Sequence, residues 1–300
     1  MSTSLADLHR HLDGSLRAST LEELAARRGI VLPEALRFYA GMGLSDALAR
    51  FEVTLSVLQA PAEVRRVAAE MCLDARSEGV GTLEIRFAPQ LHRGASLEDI
   101  VDAALMGIDG RAGLILCGLY GEDPAVLEAL VDIGSRRRGV VGIDLAGGPA
   151  PHHTWTMLDY GPAFTAAREH GLGRTVHAGE GRPPEEIAVA IEVLHAQRIG
   201  HGTTLLDEPE VVDLVLDKGV IIEACPTSNV HTGAIASLQE HPIARWLELG
   251  VAACICTDNT FFSCVDAPGE LQAVAHAHGL RTDQVSELIE HGHRGAFSRS

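Results

Sequence analysis

The chain is poor in basic residues. Lys and Arg together number 24 against 41 Asp and Glu, and lysine occurs once, at Lys218. The formal charge of −17 repels phosphate backbones over most of the surface, and the one basic run, Arg136-Arg137-Arg138, reads as a solvated helix end. Nucleic acid is therefore not an expected partner. No apolar stretch of ~18 residues could span a bilayer, and MSTSLADLHRH has none of the basic-then-apolar pattern of a signal peptide. Neither a membrane nor export is expected, and the expected location is the cytoplasm.

Cysteine is scarce too. Cys72, Cys117, Cys225, Cys254, Cys256 and Cys264 form no CxxC pair and lie mostly inside apolar runs, as reduced buried thiols do. There is no Pro/Gly/Ser linker, internal repeat or low-complexity tract, so 1–300 reads as a single domain. No GxGxxG or GxxxxGK[ST] follows the first apolar run, which argues against a doubly wound nucleotide-binding sheet.

What remains is an apolar content of 46%, enough for a large core. Strand patterns fall at 5–11, 82–88, 114–119, 140–146, 174–178, 198–201, 220–224 and 252–257, with amphipathic helices between them, such as 185–196. The stretch 45–78 reads as more than one helix, broken near Ala60–Pro61. Eight strands alternating with helices predict an α/β fold, a (β/α)8 TIM barrel. Several strands are unbroken apolar runs, as expected of a parallel sheet covered on both faces.

Polar residues gather at the predicted C-terminal strand ends, where barrels place their chemistry. His9 and His11 share a face of strand one, strand five ends in His177-Ala178-Gly179-Glu180, strand six in Gly200-His201-Gly202, and strand eight runs into Asp258. A lone HxH is weak, and Asp258 alone would read as a helix cap. A barrel brings all of these to one rim, and imidazoles with a carboxylate suit Zn²⁺, with Fe²⁺, Co²⁺ and Mn²⁺ also open. Zinc can bring the pKa of water to ~7, so hydrolysis is the expected chemistry. The remaining histidines, including His92, His241 and His291, read as helix-end or solvent-facing residues.

The motifs LHRHLDGSLR (8–17), GIDLAG (142–147), TVHAGE (175–180), RIGHGT (198–203), CPTSN (225–229) and CTDN (256–259) together resemble the adenosine deaminase family, with its adenine- and aminofutalosine-deaminating relatives. The resemblance implies a (β/α)8 TIM barrel of the metal-dependent hydrolase type in which His9, His11, His177 and Asp258 hold one catalytic zinc. It implies that His201 orients and helps deprotonate the attacking water with Asp258 beside it, and that Glu180 protonates purine N1. Asp13, Gly147, Asn259 and His11 would face the substrate: Asp13 at the ribose 5′-hydroxyl, the Gly147 N–H at N3 and Asn259 at N7. HLDG, in place of the HLEG common in the adenine and aminofutalosine branches, tilts the expectation toward adenosine or deoxyadenosine as the small-molecule partner; the same chemistry on adenine, aminofutalosine or a modified adenine nucleoside, or a non-catalytic nucleoside-binding relative, stays open. The competing role for Asp13 is the N-cap of a helix over 14–24.

Three departures accompany the resemblance. DLAGGPAPHH (144–153) replaces the common DLAGDE, the lid segment 30–60 is short, and Asn259 stands where a second aspartate is usual.

Overall fold

The computed structural model describes residues 4–148 and 153–298. Residues 149–152, within the rebuilt loop noted above, lie outside the described residues. Eight strands form one parallel sheet in sequence order: β1 Leu5–His11, β2 Val80–Phe87, β3 Gly113–Leu119, β4 Val140–Ala146, β5 Gly173–Ala178, β6 Arg198–His201, β7 Ile221–Ala224 and β8 Ala253–Ile255. All eight overlap the segments expected from the sequence. A single bridge between Arg10 and Asp258 brings β8 back to β1, with His11 N–H donating to the Asp258 carbonyl and Asp258 N–H to that of His9, each at 2.8 Å. The barrel thus closes through the residues expected to carry its chemistry.

Strand β3, GLILCGL, is buried along its middle because helices cover its outer side while the interior covers the other. β2 carries both demands in alternation. Leu83, Ile85 and Phe87 join the apolar core, whereas Glu84 and Arg86 are buried among charged partners. Arg86 bonds Asp144 at 2.9 Å and Glu223 at 2.8 Å, and Arg198 bonds Glu84 at 2.5 Å. Charges buried this deeply persist only when paired, so these strands fix one another across the barrel.

The helix break falls where Pro61 demands it, between Leu44–Val57 and Pro61–Ser77. The helix expected over 185–196 is shorter, Glu185–Glu192, because the chain turns out at His195 with φ 54°. The first helix, Ala18–Arg28, starts well after Asp13 with Arg17 at its cap, so Asp13 is not a helix cap. Arg136 pairs with Asp132 and Arg137 with Asp102, which leaves the basic run partly neutralised.

Three histidines correct the solvent-facing reading: His92, His241 and His291 are buried. His92 meets Phe87 edge-on and bonds the Leu58 carbonyl, and His241 meets Trp246 edge-on. An imidazole next to another ring packs as an apolar body, a contact that helical periodicity does not reveal.

Candidate active site

Strand ends deliver the predicted residues to one rim. The strand β1 register slips between Asp7 and Arg10, yet His9 and His11 still converge, their Nε2 atoms 3.2 Å apart. His177 Nε2 from β5 lies 3.2 Å from that of His11. Asp258 Oδ1 sits 3.4 Å from His11 Nε2 and 3.7 Å from His9 Nε2. Ligand bonds of ~2.0–2.1 Å about a tetrahedral ion place neighbouring ligands ~3.3–3.4 Å apart, so these donors fit a single zinc-sized ion.

The opposite ring nitrogens support the same reading. His9 Nδ1 donates to Glu223 at 2.7 Å, and His177 Nδ1 donates to Asp144 at 3.0 Å. A proton held at Nδ1 leaves the Nε2 lone pair free for a metal. Burial and the nearby Arg86 charge hold His9 well below the usual histidine range, and burial with the neighbouring His177 does the same for His11. Burial opposes charge on His177 as well, but the Asp144 carboxylate outweighs it and moves the ring upward.

Strain marks the same rim. His201 has φ 69° and Asp258 φ 59°, left-handed values uncommon outside glycine. Gly147 has φ 76°, and a Cβ there would meet nothing, so conformation rather than space calls for glycine. At Gly200 the reverse holds, because a Cβ would lie 3.0 Å from the His9 ring.

Glu180 and His201 face each other at 3.7 Å. Burial raises the Glu180 carboxyl despite His177 and a bond from Thr232. Burial, reinforced by His177, lowers His201 to about 4. At neutral pH the pair therefore favours an uncharged imidazole beside a carboxyl that holds its proton more tightly than an exposed one. Asp13 is pushed up to about 7 by burial, and its Oδ1 has no partner. Asp258, also raised by burial, accepts from Ser228.

The cavity above these groups has two lobes that share His11, Leu48, Phe51 and Gly147. The smaller, about 60 Å³, touches His177, Glu180, His201, Asp258 and Asn259. The larger, about 300 Å³, reaches Asp13 through apolar walls that include Leu55, Leu91 and Leu119. The short segment 30–60 roofs the site: Phe38 stacks on Phe262 at 4.7 Å, and Phe51 meets Phe262 at 4.9 Å. A wider depression of about 850 Å³ lies at the opposite end of the barrel near Arg174 and Arg198, away from the converging imidazoles.

All the predicted site residues thus meet at this rim. Glu223 and Asp144, themselves braced by Arg86, hold His9 and His177 from below, and the sequence alone assigns no role to these three nor to Ser228, Asn229 and Thr232. CPTSN and GIDLAG flagged some of them as motif residues without saying what they touch.

A (β/α)8 barrel with imidazoles and a carboxylate at its C-terminal rim defines a barrel of the amidohydrolase superfamily. The family model "Adenosine deaminase" matches residues 4–300, and the chain belongs to that family of hydrolytic aminohydrolases. An adenosine deaminase of Enterococcus faecalis is 34% identical, the match covering 97% of this chain and 91% of that one. A probable adenosine deaminase of Dictyostelium discoideum is 35% identical over 97% of this chain, which spans only 40% of its length. The crystal structure of an adenine deaminase from Arthrobacter aurescens superposes with a TM-score of 0.88 at 25% identity, covering 100% of this chain and 95% of that one.

Proposed function

We propose that the protein hydrolyses a 6-aminopurine nucleoside, adenosine or deoxyadenosine, to the 6-oxo product and ammonia, using one zinc ion held by His9, His11, His177 and Asp258. The observation that carries this reading is the pairing of buried Glu180 with His201 beside the convergent imidazoles. Bound zinc supplies Lewis acidity that lets water ionise near neutral pH.

The chain's own residues account for the other steps. Glu180 gives its proton to purine N1, which makes C6 electrophilic. His201 and Asp258 orient the water and take its proton as its oxygen bonds to C6. His201 and Asp258 pass that proton to the amino group, the C6–N bond breaks as ammonia leaves, and the hydroxyl proton left on C6 returns to Glu180 as the C6 carbonyl forms. One water is consumed for each ammonia released.

Asp13, the Gly147 N–H and Asn259 orient the ring and sugar, and His11 borders both lobes. Among the described residues no Lys or Arg lines either lobe, and Asp13 is acidic, which favours a free 5′-hydroxyl over a 5′-phosphate. The apolar volume beyond Asp13 supports a second reading, in which an adenine nucleoside with a larger neutral sugar substituent is the substrate. Five buried free thiols accord with a cytoplasmic site of action, and no helix among the described residues is long and apolar enough to cross a membrane.

Glu180→Gln tests the assignment. The expected result is a loss of at least ~10²-fold in kcat with zinc content unchanged, and near-normal turnover contradicts the role.

A further inference from the structure

One short helix touches three proton-handling groups. The segment Pro226–Thr232 follows β7. From it Ser228 Oγ donates to Asp258 Oδ2 at 2.5 Å, and Thr232 Oγ1 donates to Glu180 Oε1 at 3.0 Å. Between them Asn229, with no exposed surface, sets its Nδ2 2.9 Å from His201 Nδ1 and also donates to the Glu180 carboxyl. Residues 228, 229 and 232 are one, three and four positions apart, so a single helical face presents all three.

The chemistry at Asn229 differs from that of its neighbours. A hydroxyl can donate or accept by rotating, whereas an amide has a donor end and an acceptor end fixed on opposite sides. With Nδ2 on His201 Nδ1, that nitrogen must be a lone pair, and the ring proton sits on Nε2, the atom facing Glu180. With the amide turned over, Oδ1 accepts Nδ1–H and the O–H of a protonated Glu180, in place of the N–H the carboxyl would otherwise accept, and Nε2 is left free to take a proton from water. The two ends of an amide have nearly the same shape, so both orientations fit one pocket. In the first orientation Oδ1 is buried without a partner, a state seldom seen in folded proteins.

We infer that Asn229 is a positioning residue that holds the proton of His201 on Nδ1 and so keeps Nε2 available as the base. This inference rests on the deaminase reading of the site. A leucine of similar volume would fill the space but hold neither tautomer. A serine would be too short to reach both His201 and Glu180. An aspartate would still accept Nδ1–H, so it would preserve the ring's state while changing the charge beside Glu180.

The test combines the ring's state with kinetics in zinc-loaded protein. Nitrogen-15 NMR of the His201 ring should show the proton on Nδ1 in the wild type, a tautomer mixture in Asn229→Leu, and Nδ1–H restored in Asn229→Asp. With zinc content unchanged, Asn229→Leu should lose about 10–100-fold in kcat and little in KM, as removal of partners that orient site histidines does. A wild-type ring protonated on Nε2, or an unchanged tautomer with near-normal kcat in Asn229→Leu, overturns the inference. Absence of ammonia release from any 6-aminopurine by the wild type would defeat the deaminase reading instead, and the ring spectrum would still decide the role of Asn229.

Discussion

Asn259 occupies the space that a side chain at residue 14 would need: a Cβ on Gly14 would lie 1.8 Å from Asn259 Oδ1. The glycine of HLDG and the amide of CTDN are thus one fitted pair, although 245 positions separate them (259 − 14). Gly14→Ala should push the amide out of place. The expected outcome is a rise in KM of about tenfold, a loss of ~1.4 kcal/mol in binding, with zinc retained. Steady-state kinetics with metal analysis checks it.

Asn259→Asp changes what the same position can offer. With Oδ1 against Gly14, the amide presents Nδ2 to the cavity, a donor at any ordinary pH. An aspartate donates only while protonated. KM for adenosine should therefore rise with pH in the variant, as the carboxyl ionises, and stay flat in the wild type over the same range. Matching profiles would remove Asn259 from the purine site.

Glu223 holds His9 at 2.7 Å and is itself held by Arg86 and Arg198. Glu223→Gln keeps the shape but gives up the charge that stabilises the Nδ1–H donor. Zinc affinity should fall about 10–100-fold, measured by competition with a chelator, while the fold persists.

His92 bears on acid stability without touching the candidate metal cluster. Burial lowers it to about 4 from an ordinary 6.5, with the bond to the Leu58 carbonyl opposing only in part. A depressed folded value means that the unfolded chain binds the extra proton first, so stability is lost as pH falls from about 6.5 toward 4. The ring should account for about 3 kcal/mol of that loss, at 1.36 kcal/mol per unit of pKa. Thermal unfolding of His92→Gln against wild type should show a shallower acid decline in the variant.

The barrel was legible because its strands are local patterns: VVGIDLA and AACICT read as strands from a few residues each. The candidate site was legible where chemistry-bearing residues end those strands, as His177 and Asp258 do. What stayed hidden was pairing across the barrel. Arg86 and Glu223 look like ordinary alternating charges on a strand, and only closure shows that they face one another and the imidazoles. The burial of His92 and His241 was hidden for a related reason, since their ring partners come from packing that periodicity does not encode.

The most direct measurement is ammonia and inosine release from adenosine by protein stripped of metal and then reloaded with one zinc per chain. The expected result is no turnover when stripped, full turnover when reloaded, and one ammonia for each inosine formed. Turnover that survives complete metal removal, or a zinc-loaded protein that releases no ammonia from adenosine, deoxyadenosine or a panel of modified adenine nucleosides, would contradict it.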